Sequence, residues 1–184
     1  MIYKHFLKLI FDYFASFFLI IFLSPIFIIV FALVFFIYRQ NPIFIQKRLG
    51  YNGKIISVLK FRTIYKNILL EKQLKTTKFG KFLRDYSIDE LPQLVNIIKN
   101  EMSLVGPRPL TEEDSKINNE IQSDRLSVKP GITGWAQING RNNLSKRDKF
   151  YYDLWYINNI SFFLDLKIII LTIIKVFKSE GIEY

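Results

Sequence analysis

The apolar pattern separates a long hydrophobic segment from a mixed remainder. Tyr13 to Tyr38 is a stretch of 26 residues without a formal charge, bounded by Asp12 and Arg39. As a helix it would be about 39 Å long, enough to cross the hydrocarbon core of a bilayer. The run is too long for a cleaved signal peptide, and no small-x-small cleavage site follows it. Ser24-Pro25 at its centre predicts a break, because proline lacks a backbone donor and crowds the preceding turn. The Ser24 hydroxyl can bond a carbonyl freed there, which makes the break tolerable in lipid. Two paths are open: a kinked span, or a re-entrant helix that turns at Ser24-Pro25 and leaves by the face it entered. Lys4 and Lys8 before the segment and the basic residues after it favour the cytoplasmic side for both flanks.

Beyond Arg39 the periodicity changes. Ile43–Thr63 reads as a β-hairpin turning at Asn52-Gly53, with Ile56, Val58, Lys60 and Arg62 on one face of the second arm. Residues 66–84 read as a basic helix. Ser87-Ile-Asp-Glu matches a capping box that starts a helix through about Lys99, with Leu91, Leu94, Val95 and Ile98 as its apolar stripe and Pro92 near the first turn. A Gly106-Pro-Arg-Pro109 loop, a polar helix from about Glu112, a turn-rich link Lys129–Gly134 into Trp135–Arg141 and a helix from about Ser145 follow. Ser161–Lys178 is apolar but interrupted by Asp165, Lys167, Lys175 and Lys178, too charged to span. It fits an amphipathic interfacial helix capped by Ser161, next to the aromatic cluster Tyr151, Tyr152, Trp155 and Tyr156. The other reading is a terminal helix packed into the core. The expected fold is α+β and predominantly helical: a membrane anchor over residues 1–40 and one compact domain over residues 41–184.

Composition narrows the chemistry. The 184 residues suit one globular domain. With no cysteine and one histidine, His5, the chain excludes a disulfide scaffold, a Cys/His zinc or iron–sulfur site, a cysteine nucleophile and a Ser-His-Asp triad. Carboxylates, Lys, Arg, hydroxyls and an oxygen-ligated metal remain. The net charge of +10 is concentrated: residues 41–88 hold eleven Lys/Arg against Glu71 and Asp85. Such a surface suits phosphates, nucleic acid or anionic headgroups.

Asp89 and Glu90 stand at an expected helix start, where backbone N–H groups favour negative charge and also attract phosphate. A carboxylate pair working on phosphate needs intervening cations. Lys60, Arg62, Arg84, Arg108, Arg125 and Arg141 could supply them, with Mg²⁺ bridging carboxylate and diphosphate oxygens. Spacing alone is equally served by Glu90 as a capping residue, Asp89 as a first-turn acid and the arginines as solvated surface charges. Pro107 and Pro109 fix the backbone of Arg108 on both sides.

Ser87-Ile-Asp-Glu-Leu-Pro-Gln-Leu-Val-Asn-Ile-Ile, continued by Met102-Ser-Leu-Val-Gly-Pro-Arg-Pro-Leu110, resembles the signature of the bacterial sugar transferases, the small monotopic polyprenyl-phosphate phosphoglycosyl transferases of the PglC type. Lys60-Phe-Arg-Thr63, Lys129-Pro-Gly-Ile-Thr-Gly-Trp-Ala-Gln-Ile-Asn-Gly-Arg141 and Ser24-Pro25 are similar too, in the same order. Departures are Ile64, Asn100-Glu101 and the basic segment Tyr65–Lys78. The resemblance implies transfer of a sugar 1-phosphate from a UDP-sugar to undecaprenyl phosphate with release of UMP. Asp89 would be the nucleophile and Glu90 its dyad partner, both next to Mg²⁺. Lys60, Arg62, Arg84, Pro107, Arg108, Arg125, Gln137 and Arg141 would bind substrate. It also implies a re-entrant anchor broken at Ser24-Pro25 and an active site on the cytoplasmic face of the inner membrane, with the lipid bilayer as partner and no nucleic acid. Downstream glycosyltransferases and a homodimer stay open as partners. The reading from another class is a non-catalytic, membrane-tethered basic protein that binds nucleic acid or anionic lipid with steep salt dependence. It leaves unexplained why Asp89-Glu90, Pro107-Arg108-Pro109 and Lys60/Arg62 occur together.

Overall fold

A computed structural model of the chain describes residues 3–66, 74–111, 124–140 and 144–178. The polar helix expected from Glu112 and Arg141 lie outside these residues. The longest element is α1, Lys8–Tyr38, which stays helical through Pro25. The break expected at Ser24-Pro25 is therefore not an interruption, and the reason is local. Pro25 cannot donate to the carbonyl four residues back, Ile21 O, and the Ser24 hydroxyl donates to that oxygen instead, at 2.8 Å.

The hairpin forms as expected. β1 (Ile43–Leu49) and β2 (Ile55–Phe61) are antiparallel, from Ile43 opposite Phe61 to Leu49 opposite Ile55. Asn52 (φ 52°) and Gly53 (φ 73°) supply the left-handed turn residues. Ile56 and Val58 are buried and Lys60 is half-buried along the inward face of β2, but Arg62 falls past the strand end, where its Nε donates to Asn41 O.

The basic helix expected over 66–84 begins only at Lys78. Ile64–Lys66 (β3) and Leu74–Thr76 (β4) pair antiparallel, residues 67–73 lying outside the description. The Thr77 hydroxyl then accepts from Gly80 N and starts α2, Lys78–Asp85. Gly80 is required here: a Cβ would sit 2.2 Å from Thr63 O and 2.7 Å from the Tyr38 hydroxyl.

The capping box does not form. Ser87 takes a left-handed conformation and its N–H donates to Arg84 O, closing α2, while the Glu90 side chain turns to cations instead of back to Ser87. Ile88–Glu90 makes a 3₁₀ turn and α3 runs only Gln93–Ile98. This shifts the inward face to Gln93, Leu94, Asn96 and Ile97, with Leu91, Val95 and Ile98 half-buried.

The Lys129–Gly134 link contains a strand: β6 (Gly131–Thr133) pairs in parallel with β5 (Ser103–Val105), Ser103 opposite Gly131. α4 (Trp135–Ile138) follows. α5 (Lys146–Asn158) is capped by Ser145, whose hydroxyl accepts from Asp148 N, and α6 spans Phe162–Lys178. Ile168 of α6 joins Val58, Leu94, Ile97, Met102, Val105 and Tyr156 in the main core, against which Phe11, Ala15, Ile20, Leu23 and Phe27 of α1 pack. A second core joins Val30, Val34 and Tyr38 of α1 to Phe61 and Leu83.

The terminal helix packs one face into the core and leaves an apolar face exposed, with a correction to its charges. Asp165 points inward at 0% exposure while Phe163 is 80% exposed. Lys8 Nζ sits 2.7 Å from Asp165, and the Tyr3 and Tyr156 hydroxyls donate to it. Asp12 accepts from Ser103 Oγ at 2.6 Å and from Leu104 N. Lys8 and Asp12, at the N-terminal border of the apolar segment, are thus the polar seam that docks α1 on β5 and α6.

Candidate active site

The two acidic neighbours are placed differently by the 3₁₀ turn that presents them. Lys60, reaching inward from β2, sits 2.7 Å from Glu90 Oε1; Arg108, from the loop after β5, sits 3.0 Å from the same oxygen. Asp89 is buried and has no hydrogen bond or ion pair among the described residues. Burial pushes the Asp89 carboxyl up to about 6, the adjacent Glu90 charge adding to the rise and Lys60, Arg84 and Arg108 opposing it. Burial would raise Glu90 as well, but Arg108 and Lys60 outweigh it and bring it down to about 2. One carboxylate is a locked anion; the other, unpaired among the described residues, can change its protonation near neutrality.

Each cation has its own support. Asn96, 0% exposed, holds β2 in place: its side-chain oxygen accepts from Leu59 N, and its amide donates to Ser57 O and Glu101. It stands in for a missing third strand along β2, immediately before Lys60. The Arg108 loop hangs from the β5–β6 pair, with Gly106 N donating to Thr133 O and Gly131 N donating to Pro107 O. Pro107 is buried while the Arg108 side chain is 52% exposed. Arg84, in the last turn of α2, donates from Nε to Thr63 Oγ1 at 2.8 Å.

Asp89, Glu90, Lys60, Arg84 and Arg108 are therefore one cluster. Arg62 is held at Asn41 with its guanidinium over the Phe44 ring, away from these contacts. Arg125 is also placed away from these contacts. It is buried, 2.6 Å from Asp153, stacked 4.6 Å from the Phe150 ring, and it donates to Arg108 O at 3.3 Å. It braces the Arg108 backbone. Gln137 lies against Gly134, its amide oxygen and nitrogen buried without partners among the described residues. Asn96 and Asp153 were missed at the sequence level. The one available signal was a polar side chain standing among apolar ones, as Asn96 does between Val95 and Ile97.

Among the described residues no group of three or more His, Cys, Asp or Glu gathers to hold a metal. Mg²⁺ commonly takes only one or two carboxylates and completes its shell with substrate phosphates and water. The unpaired Asp89 carboxylate fits that smaller role, with Glu90, engaged by two cations, as its neighbour.

The model of the family described as "Bacterial sugar transferase" matches residues 3–179, and the chain belongs to that family. It is 48% identical over 182 residues to the "Uncharacterized sugar transferase EpsL" of Bacillus subtilis (strain 168), covering 96% of this chain and 90% of that protein. The "Exopolysaccharide production protein ExoY" of Rhizobium meliloti (strain 1021) is 35% identical, with 93% and 85% covered. The "UDP-glucose:undecaprenyl-phosphate glucose-1-phosphate transferase" of Klebsiella pneumoniae is 42% identical over 92% of this chain, which spans 40% of that longer protein.

Proposed function

We propose that the protein transfers a sugar 1-phosphate from a UDP-sugar to undecaprenyl phosphate through an acyl phosphate on Asp89. The observation that carries this reading is the asymmetry of the pair: Glu90 locked between Lys60 and Arg108, Asp89 buried beside them and unpaired among the described residues. In the first step an Asp89 carboxylate oxygen attacks the phosphorus next to the sugar. The bond from that phosphorus to the bridging oxygen breaks, and UMP leaves with the electron pair. In the second step an oxygen of the lipid phosphate attacks the same phosphorus, and the pair of the acyl-phosphate bond returns to Asp89. Splitting one transfer in two makes the kinetics ping-pong. Glu90 holds the cations that face the diphosphate. When bound, Mg²⁺ would be held by Asp89, with Glu90 adjacent, and would offset the repulsion between carboxylate and phosphate.

The same reading places the protein on the cytoplasmic face of the inner membrane, with residues 1–40 as a re-entrant anchor. Support comes from α1, whose composition is apolar enough to enter a bilayer and whose two ends pack on one globular body. The test is UMP release from a panel of UDP-sugars by detergent-held protein with undecaprenyl phosphate and Mg²⁺. Release from one or two donors, lost in Asp89→Asn, is expected. Release that persists in Asp89→Asn would remove Asp89 as the nucleophile. Full activity in EDTA would remove the metal.

A further inference from the structure

The cations around Asp89 are not equivalent. Lys60 and Arg108 share Glu90, whereas no carboxylate among the described residues pairs with Arg84. Arg84 is instead tied to the end of α1. Its Nε donates to Thr63 Oγ1; the Thr63 carbonyl lies 3.2 Å from the Tyr38 hydroxyl, which donates to it; and Tyr38 is the last residue of α1. The same hydroxyl lies 2.6 Å from Thr77 Oγ1, the cap of α2, and Gly80 lets α2 close on both groups. Arg84 is thus tied through Thr63 to the end of α1, and its charge acts on Asp89. Just before the inward-facing Tyr38, the last turn of α1 exposes Phe35, Phe36 and Ile37.

An amphiphile made of an anionic phosphate on an apolar tail matches this layout. A tail lying along the exposed end of α1 brings its head to Arg84, with Asp89 beyond. We propose that Arg84 binds the phosphate of the lipid acceptor, while Lys60 and Arg108 hold the diphosphate of the nucleotide sugar. The assignment rests on the two-step transfer above. In an in-line second step the lipid phosphate attacks from the side that UMP has left, so Arg84 also meets the departing nucleotide phosphate. The two substrates nevertheless depend on it unequally. The nucleotide has a base, a ribose and a sugar to anchor it, whereas the polar head of the lipid offers only its phosphate.

A charge-assisted hydrogen bond is worth about 1.5–3 kcal/mol, which corresponds to about 10–100-fold in affinity. The experiment measures KM for undecaprenyl phosphate and for the preferred UDP-sugar in detergent with Mg²⁺, and follows the phosphosugar adduct by intact mass with UDP-sugar alone. Arg84→Gln is expected to form the adduct and to raise KM for undecaprenyl phosphate by about tenfold or more, with the UDP-sugar KM moving much less. Arg108→Gln is expected to show the reverse order. Arg84→Lys keeps the charge but loses the bond to Thr63, and Thr63→Val loses the bond from the other side; both should raise the lipid KM by a smaller factor. Equal rises in both KM values, or a rise confined to the UDP-sugar, would overturn the assignment. If Arg84→Gln forms no adduct, Thr63→Val decides between the same two outcomes. Failure of the wild-type chain to form any adduct would sink the two-step reading itself, a different result from a wrong place for Arg84.

Discussion

Asp89 and Glu90 are adjacent acids with opposite electrostatics, and the contrast makes a pH prediction. Burial and the neighbouring charge raise Asp89 to about 6, so its ionised, nucleophilic fraction falls as pH drops below that value. The rate of adduct formation from UDP-sugar should therefore rise with pH and level off above about 6, losing about tenfold per unit well below it. Glu90→Gln removes the like charge that contributes to the rise, so the inflection should move to lower pH while the rate falls because Lys60 and Arg108 lose their anchor. A single-turnover pH profile of the two proteins checks both statements; an inflection unmoved in Glu90→Gln would mean that burial alone sets it. Asp89→Asn should cut kcat by about 10³-fold or more, read as UMP release. At this scale the sequence named Asp89, Glu90, Lys60, Arg84 and Arg108, which the structure brings into one cluster; all but Arg84 stand in short local motifs. It could not place Arg125, whose partner Asp153 lies 28 positions on, since nothing local separates a buried arginine from a solvated one. Breaking that buried pair with Arg125→Ala should cost about 3–5 kcal/mol, measured as a loss of thermal stability, and should loosen the Arg108 loop.

Among the elements, those written in local chemistry were legible. Asn52-Gly53 fixed the hairpin, and Ser145 fixed the start of α5, each by a few atoms within the turn itself. The β5–β6 pair was not legible: each strand is three residues long, and the two meet across more than twenty intervening positions. The start of α2 was misplaced because Lys-rich residues favour helix, while the pairing of Ile64–Lys66 with Leu74–Thr76 is a tertiary choice. Within α1, Ser24 and Pro25 make a matched pair, one supplying the donor that the other lacks. Ser24→Ala should cost about 1 kcal/mol by leaving Ile21 O without a donor. On a Pro25→Ala background, where residue 25 regains its N–H, the same change should cost nothing. Thermal unfolding of the four proteins in detergent measures the coupling; equal costs on both backgrounds would separate the two residues. Gly80→Ala should cost about 1–3 kcal/mol by overpacking, since its methyl meets Thr63 O and the Tyr38 hydroxyl.

Over the whole molecule, the path of α1 decides where the reaction happens. The helix is about 46 Å long, and both of its ends are tied to one body. Lys8 and Asp12 reach Asp165, Ser103 and Leu104; Val34 and Tyr38 reach Leu83 and Thr63. A span would put these ends on opposite sides of a hydrocarbon core about 30 Å thick. The buried Lys8–Asp165 pair and the Asp12–Ser103 bond would then have to break or lie in lipid. Breaking a buried ion pair costs about 3–5 kcal/mol, and no contact replaces it. Exposure is highest midway, with Phe22 at 80% and Ile28 at 70%, on either side of Ser24-Pro25. Those two side chains face away from the domain, while Ile20, Leu23 and Phe27 of the same stretch pack against its core. The sequence did not show this tie, because Asp165 lies more than 150 positions from Lys8 and reads locally as one more charge on an interfacial helix. Because the chain has no cysteine, single introduced ones report topology without background. Ile2→Cys and Gln40→Cys should both react with an impermeant maleimide from the cytoplasmic side of inverted vesicles, and neither from the outside of intact spheroplasts. Labelling of position 2 only from outside would establish a span and would require the Lys8–Asp165 contact to open in the membrane. In Lys8→Met, where the pair is already broken and Asp165 is left buried without its cation, a shift of position 2 to external labelling would show that this one ion pair helps hold both ends of the helix on the same face.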